Sequence, residues 1–322
     1  MISRRVLGLA VAASVLFGGT FVAVKAGLDY FPPLLFVALR FDIAALALAV
    51  YVLATRSRAD LLPRTRGDLL GIGVTGLLAI GLTNALLFVG QQSATSAVAA
   101  IVFSLNPILT PVFAALLLST ERLSRRGAVG MVVGLLGVAL VVDPDPAMLA
   151  DGGLGQLVLF VAAVAAALGS VLIRWADSSL SSTVRVAWAL PLASALNHGL
   201  SVAAGESITA VVWTVPGLLA LGYVGVFAGA VAYIAYFGLL DEVGAIRANL
   251  VFYVVPAVST LGGWALLDET IPPTAVVGFL TIFVGFAVIG SDSVDRRRLR
   301  PGYEPDVNHF EIDGEVRAFE AD

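Results

Sequence analysis

The sequence contains no cysteine and only two histidines among its 322 residues. The absence of cysteine excludes disulfide bonds and metal sites built from thiolates. His198 and His309 are too far apart to form the His-x-x-x-His pattern of a helical zinc site. The chain also lacks the phosphate-binding motif G-x-x-x-x-G-K-S/T, so an ATP-driven pump would need a separate motor. We therefore expect neither a metal ion nor any other cofactor.

Charged residues are also scarce. They make up 13% of the chain, against about 25% in soluble domains, while hydrophobic residues make up 59%. This composition predicts a polytopic membrane protein. Arg4 and Arg5 precede the first apolar run, as in a secretory signal peptide. Because that run continues to Leu28, long enough to cross a bilayer, we interpret it as the first membrane span.

The apolar segments predict an all-α integral membrane protein with ten transmembrane helices. The loops between them are short, which favours antiparallel neighbours. The predicted spans are 6–28, 33–54, 68–90, 94–118, 126–142, 154–175, 183–204, 214–239, 244–267 and 273–290.

Basic residues fall on one side of this arrangement. If the N-terminus is cytoplasmic, the outer connections carry acidic side chains and no Lys or Arg. The positive-inside rule therefore places both termini in the cytoplasm. Two basic residues, Lys25 and Arg40, lie within spans. One Lys against eighteen Arg favours a high-GC prokaryote, so we expect a multi-pass protein of a prokaryotic cell membrane.

The chain contains an internal repeat, because Ser93–Ser124 and Glu242–Ile271 have the same pattern. A shift of 149 residues superposes the two halves. Each half has five spans, an odd number, so the second half enters the membrane from the opposite side. We predict two inverted five-helix repeats, 1–145 and 150–291, an arrangement typical of carriers that work by alternating access. Duplication that serves packing alone is the alternative.

The tail at 292–322 differs in character from the rest of the chain. Its basic run Arg296–Arg300 predicts contact with the inner membrane surface, and the acidic sequence beyond has little to bury. We expect a flexible cytoplasmic tail that is a solvated extension. A regulatory or docking role is the alternative.

Four segments together carry a family resemblance. They are LFGGTFVAVKAG at Leu16–Gly27, Arg40 in the second span, the stretch Pro107–Glu121, and its second copy Pro256–Glu269. In order and duplication they resemble the EamA-type carriers of the drug/metabolite transporter superfamily, over residues 6–290. The resemblance implies a ten-helix fold with a central cavity lined by helices one to four of each half. It also implies small substrates such as amino acids, amines or nucleosides, often exported.

Polar and aromatic residues within the spans mark the candidate substrate cavity. Asn84 and Tyr233 are related by the repeat, as are Phe88 and Phe237, and aromatic walls with a few polar groups suit a small amphipathic ligand. Hydrogen bonding between helices is the alternative role for each of them. The candidates are Thr20, Asn84, Phe88, Asn106, Pro107, Trp188, Tyr233, Phe237, Asn249, Tyr253 and Pro256.

The two prolines among these candidates are expected to break their helices in mid-membrane. Pro107 and Pro256 each lack a backbone donor and disturb the preceding turn. Carbonyls freed near Ser104 could face a cavity, because irregular backbone at membrane depth survives only where protein or water satisfies it. A packing kink is the alternative.

Six charged residues are candidates for gating or structural roles: Lys25, Arg40, Asp42, Glu121, Arg174 and Glu269. Charges within a membrane are functional by default, yet Lys25 and Arg40 are close enough to the interface to snorkel. For these two we favour an ion pair, or contact with a helix C-terminus, over direct binding of an anionic substrate. Asp42 could relay protons or bind a neighbouring helix. The two glutamates are expected to accept hydrogen bonds at the start of the next helix.

We predict a secondary transporter of a small organic metabolite such as an amino acid or an amine, with export favoured over import. A non-transporting membrane scaffold and a lipid-modifying membrane enzyme are the alternatives. We do not expect an enzyme, because no cluster of His, Asp or Glu falls at one membrane face. The expected partners are the substrate and the lipid bilayer, without nucleic acid. The glycine pattern Gly130–Gly134 predicts close helix packing and leaves a homodimer open.

Overall fold

The computed structural model describes residues 4–118, 125–142, 154–236, 238–239, 242 and 251–298, and within these ranges the chain is helical without β-strands. The longer helices are α1 (Arg4–Gly27), α2 (Pro33–Thr55), α3 (Arg66–Gln91), α4 (Ser96–Leu117), α5 (Arg125–Val142), α6 (Gly155–Trp175), α7 (Ser182–Ala203), α8 (Val215–Tyr236), α9 (Val251–Leu267) and α10 (Pro273–Arg298). Short turns at Arg58–Leu61 and Ile208–Ala210 precede α3 and α8. The all-α prediction agrees with these elements.

Six helices, namely α1 to α4, α6 and α8, are long and apolar enough to cross a membrane. Shorter apolar stretches lie within α9 and α10, at Val254–Leu267 and Pro273–Gly285. Helix α10 continues to Arg298, beyond the predicted end of the last span at 290. The ten-span count therefore stays a prediction, while a membrane protein with several helical spans accounts for the helices seen.

The outer surface of the bundle is apolar. Leu46, Leu53 and Leu116 have 69%, 69% and 74% of their surface exposed. In water such side chains would favour burial, but lipid tails are as apolar as leucine. The exposed leucines therefore fit a surface that faces lipid.

Hydroxyl side chains cap the N-termini of several helices. Thr65 accepts a hydrogen bond from Asp68 N (3.0 Å), and the Asp68 carboxylate accepts one from Thr65 N (2.9 Å), which completes a capping box at the start of α3. Thr95, Ser181 and Thr214 each accept a hydrogen bond from the third residue of the helix that follows. These caps satisfy N–H groups that a helix start leaves without partners.

Two stretches of π-helix lie within α3 and α8, at Val74–Leu82 and Tyr223–Val231. They are 149 residues apart, the same shift that relates the halves of the sequence. Gly76 and Gly225 occupy equivalent positions in them. At Gly76 an added Cβ would lie 2.6 Å from the Ala189 carbonyl oxygen, so glycine permits close packing there. The π-segments were not predicted, and such segments are frequent at functional sites.

The two mid-membrane prolines behave differently. Before Pro107, the α4 helix is interrupted at Ser104 and Leu105, whose N–H groups bond to carbonyls three residues back (3.0 and 3.2 Å). A second helical stretch, Asn106–Leu117, then begins with that proline in its first turn. Pro256 instead lies inside α9, which continues through it. The predicted break is therefore wrong for the second copy. Proline removes one backbone donor, and the remaining helical hydrogen bonds are enough to continue α9.

Corresponding helices of the two halves make corresponding contacts. Helix α1 packs on α8 and α9, and its counterpart α6 packs on α3 and α4. Helix α2 packs on α8, and its counterpart α7 packs on α3. The pairs α2–α7, α4–α9 and α5–α10 each join equivalent helices. If each helix is replaced by its counterpart in the other half, the same set of contacts results.

The bundle has two ends, which we name by their residues. At the Lys25 end (Lys25, Gln92, Glu206 and Glu269), Lys25 Nζ donates to the carbonyls of Gln91 and Gln92, both at 3.2 Å. The Asp68 end contains Asp68, Ala176 and Ser178.

Helices α1 and α6 run in opposite directions between these ends. Gly155, at the start of α6, lies against Gly90 near the Lys25 end, where α1 finishes. At the far end of α6, the Ala176 carbonyl lies against Gly67. These two helices thus cross the bundle in opposite senses.

Helices α5 and α10 pack through glycines. An added Cβ at Gly285 would lie 2.6 Å from the Gly130 carbonyl oxygen and 2.7 Å from Gly134 N. Both are backbone atoms that cannot move aside without separating the helices. The glycine pattern of α5 is thus used within the chain, as predicted for close packing, and the homodimer stays a prediction.

Gly285→Ala is expected to lower the free energy of unfolding by about 2 kcal/mol, because the methyl group overpacks the α5–α10 contact. Gly199→Ala is the matched control, since nothing lies within 4 Å of an added Cβ there. Thermal unfolding of the purified variants measures both. Equal melting temperatures for Gly285→Ala and the wild type would contradict the close packing.

Candidate functional site

Arg40 is a buried cation in the interior of the bundle. Only 4% of its surface is exposed. Its Nη1 donates to Asn84 Oδ1 at 3.3 Å, and its guanidinium carbon lies 4.9 and 5.4 Å from the ring centres of Phe41 and Phe88. None of the carboxylates in the described ranges forms a salt bridge with it. The predicted ion pair is thus replaced by an amide and two aromatic faces.

Three predicted cavity residues come together around this arginine. Asn84 is held by its own amide, which donates to the Ile80 carbonyl at 2.8 Å. Phe88 is fully buried, and Tyr233 is near enough to interact electrostatically with the guanidinium. We call Arg40, Asn84, Phe88 and Tyr233 the Arg40 cluster. It joins α2 and α3 of the first half to α8 of the second.

The π-segments lie immediately before the cluster. One ends at Leu82, two residues before Asn84, and the other ends at Val231, two residues before Tyr233. A π-turn carries an extra residue per turn, so it rotates the side chains that follow. The repeated glycines are the sequence signal that could have revealed these segments.

Aromatic layers lie on both sides of the cluster. Toward the Lys25 end, Phe36 stacks on Phe31 (4.9 Å) and meets Phe88 edge-on (5.2 Å), and all three are buried. Toward the Asp68 end, Phe17 meets Tyr233 at 5.5 Å and Phe252 at 5.7 Å, and these side chains are only partly buried. The packing is therefore tighter toward the Lys25 end.

Asp42 lies apart from the Arg40 cluster, on the face between α2 and α7. Its carboxylate accepts a hydrogen bond from Ser194 Oγ and lies 2.9 Å from His198 Nε2. Both partners belong to the neighbouring helix, as one of the two readings of Asp42 expects. No local sequence pattern indicates either partner, because both lie more than 150 residues from Asp42.

Lys25 and Gln91 tie α1 to the end of α3. Lys25 binds the carbonyls at the C-terminus of α3, one of the partners expected for it. Gln91 is fully buried, and its Nε2 donates to the Phe21 carbonyl. These contacts hold the Lys25 end together.

Glu269 and Ser259 link α9 to α4. The Glu269 carboxylate accepts hydrogen bonds from Ser96 N (2.9 and 3.0 Å), at the start of α4. Ser259 Oγ donates to the Ser96 carbonyl at 2.8 Å. The glutamate thus caps a helix of the other half rather than the helix that follows it in sequence.

Five further candidates lie outside the Arg40 cluster. Thr20 and Asn106 make hydrogen bonds within their own helices, to Leu16 O and Thr110 Oγ1. Trp188 Nε1 donates to the Leu61 carbonyl at 2.7 Å, near the Asp68 end. Arg174 is exposed in the last turn of α6, and Pro256 is buried in α9.

The remaining candidates are not placed by the structure. Glu121, Phe237 and Asn249 lie outside the described residues. For Pro107 and Tyr253 only the backbone is described, within α4 and α9.

Asp68 is a buried carboxylate that the sequence did not single out. It is fully buried and accepts hydrogen bonds from Thr65 N, Ser178 Oγ (2.9 Å) and Ser179 N (2.8 Å). It therefore fixes the start of α3 to the loop before α7. Its position in a capping box was the available sequence signal.

Asp68→Ala is expected to lower the melting temperature by several degrees, because several charge-assisted hydrogen bonds lose their acceptor. Asp60→Ala is the matched control, since Asp60 is exposed and its carboxylate accepts a hydrogen bond from the nearby Ser57 Oγ. The melting temperatures of the two purified variants give the comparison. Equal effects would show that the Asp68 hydrogen bonds add no stability.

A groove of about 560 Å³ runs along α1, beside Leu7, Val11 and Val15. It is open and almost wholly apolar, and its described lining comes from one helix. A groove of this kind fits a lipid-facing surface better than a substrate site, which needs converging polar groups.

Comparison with known proteins places these features in a wider group. The model of the EamA-like transporter family matches residues 4–143 and 153–291. The chain is 26% identical to an uncharacterized transporter of Archaeoglobus fulgidus over 87% of this chain and 97% of that protein. It is 29% identical to the uncharacterized inner membrane transporter YedA of Escherichia coli (strain K12), over 82% and 83%.

A relative of Bacillus subtilis (strain 168), the uncharacterized transporter YvbV, is 27% identical over 87% of this chain and 89% of that protein. A solved crystal structure superposes with a TM-score of 0.60 at 23% identity, covering 92% of this chain and 100% of that one. At this identity the likeness concerns the fold alone.

Proposed function

Because this chain belongs to the EamA-like transporter family, we propose that it is a secondary transporter that moves a small organic metabolite, such as an amino acid or an amine, by alternating access. The Arg40 cluster is the observation that carries the proposal. It places a cation, an amide and aromatic rings between helices of both halves, within the apolar interior. Export is the preferred direction.

We further propose that the carrier consists of two inverted five-helix repeats. The two separate family matches support this, as do the π-segments 149 residues apart. The corresponding helix contacts of the two halves and the opposite directions of α1 and α6 support it as well. Two inverted repeats give two related arrangements, one open to each side of the membrane.

The Lys25 end acts as the closed gate in this proposal. Glu206 accepts hydrogen bonds from Leu34 N (3.1 Å) and Leu35 N (2.7 Å), and Glu269 accepts them from Ser96 N. Each contact joins the second half to a helix start of the first half. Opening toward this end would require both carboxylates to leave these N–H groups. The Lys25 end is the outer one by the positive-inside rule.

The repeat arrangement predicts opposite exposure of two exposed serines. Ser57 follows α2, and Ser207 follows α7, its counterpart. The chain has no cysteine, so single cysteines at these positions report without background. In intact cells a membrane-impermeant maleimide is expected to label Ser207→Cys and to leave Ser57→Cys unlabelled until the cells are opened. Labelling of both from the same side would overturn the inverted arrangement.

Transport itself is tested with purified protein. Thermal stability against a panel of amino acids, amines, nucleosides, sugars and organic acids finds the binding class, because a ligand that binds only the folded state raises the melting temperature. Flux of that class into proteoliposomes then measures transport. A scaffold would respond to no ligand and carry no flux. Flux of any compound would therefore support a transporter, and absence of flux across the whole panel would support a scaffold.

A further inference from the structure

Arg40 is incompletely satisfied as a hydrogen-bond donor. Its guanidinium has five N–H groups, yet Nη1 to Asn84 Oδ1 is the contact formed, and Nε is buried without a partner. Asn84 is neutral, and its amide nitrogen already donates to the Ile80 carbonyl. The described residues therefore supply a buried arginine with one acceptor and no negative charge.

A buried arginine of this kind is costly without an anion. Arginine stays protonated in proteins, so it cannot relieve its burial by losing a proton. The faces of Phe41 and Phe88 attract the cation but accept no hydrogen bond in its plane. A planar acceptor with one negative charge would occupy the free donors and neutralise the charge.

Asp42 and Lys25, two other charged side chains of the bundle, are each bound to partners other than Arg40. Asp42 is two residues from Arg40, on a different face of α2, and is bound to Ser194 and His198. Lys25, the other cation in the outer part of the bundle, is bound to the carbonyls at the end of α3. Among the described residues, none places a second cation in contact with this guanidinium, and a single guanidinium matches a monoanion better than a phosphate.

We propose that the transported substrate carries a carboxylate and that Arg40 binds it, an inference that rests on the proposed function. Asn84 orients the guanidinium, and Phe41 and Phe88 flank the apolar part of the substrate. Amino acids and small monocarboxylic acids share this chemistry. Amines that lack a carboxylate do not.

Wild-type protein tests the inference without any variant. The probes are L-phenylalanine and L-leucine, the corresponding acids 3-phenylpropanoate and 4-methylpentanoate, and the matched amides and amines. Thermal shifts across a concentration series give apparent affinities. A carboxylate-bearing probe is expected to bind at least about tenfold more tightly than its amide or amine, since each charge-assisted hydrogen bond is strong in a buried site. Equal affinities, or no response to any carboxylate, would overturn the proposal.

The acids and amino acids separate the two sources of the carboxylate. If both bind, Arg40 recognises the carboxylate alone. If the amino acids alone bind, a further group recognises the ammonium as well. Both results support the proposal, because each requires the carboxylate.

Variants then assign the effect to Arg40. Arg40→Gln is expected to weaken binding of the carboxylate probes at least about tenfold, and Arg40→Lys, which keeps the charge but not the planar fork, by an intermediate factor. Arg185→Gln is the matched control. Arg185 is partly buried and, like Arg40, has a buried Nε without a partner, but it belongs to α7 near the Asp68 end. Its affinity should stay at the wild-type value. Unchanged affinity in Arg40→Lys and Arg40→Gln would overturn the assignment.

Flux measurements separate failure of this inference from failure of the proposed function. Transport of an amine or a nucleoside without any carboxylate would overturn the role of Arg40 and keep the transporter. Carboxylate binding without flux of any substrate would keep the binding site and overturn transport.

Discussion

A membrane interior offers the backbone no water, so each place where a helix starts or breaks must be satisfied by the protein itself. Three carboxylates do this across the two halves. Asp68 accepts from Ser179 N before α7, Glu206 from Leu34 N and Leu35 N of α2, and Glu269 from Ser96 N of α4. Each carboxylate is stabilised by the positive end of a helix dipole. At α2, α3 and α4, the carboxylate that satisfies the start of the helix therefore also joins the two halves.

The same constraint explains where the candidate site lies. Regular helix leaves no backbone group free, so specific chemistry at membrane depth depends on side chains and on irregular turns. The two π-segments come directly before Asn84, which accepts a hydrogen bond from Arg40, and before Tyr233 of the other half. A charge placed there is costly, and the cost is acceptable where a ligand compensates for it.

In the proposed transport cycle, conformational change would act on two ends whose aromatic packing differs. The Lys25 end combines charge-assisted hydrogen bonds with the buried rings of Phe31, Phe36 and Phe88. On the side of the Arg40 cluster toward the Asp68 end, Phe17, Tyr236 and Phe252 are only partly buried. A substrate that neutralises Arg40 would alter the balance between the two ends, because it binds where helices of both halves meet.

The sequence by itself determined the helical class, most helix ends, the family and the 149-residue shift, and through that shift it selected Asn84, Phe88 and Tyr233. These features depend on local hydropathy and on patterns within the chain. Only the tertiary structure decided that Arg40 binds Asn84, that Asp42 binds His198, and that Glu269 caps α4 rather than α10. Partners such as these lie 44 to 173 residues apart, and hydropathy does not encode which faces of distant helices meet. The packing of the helices therefore determines which of these residues bind one another.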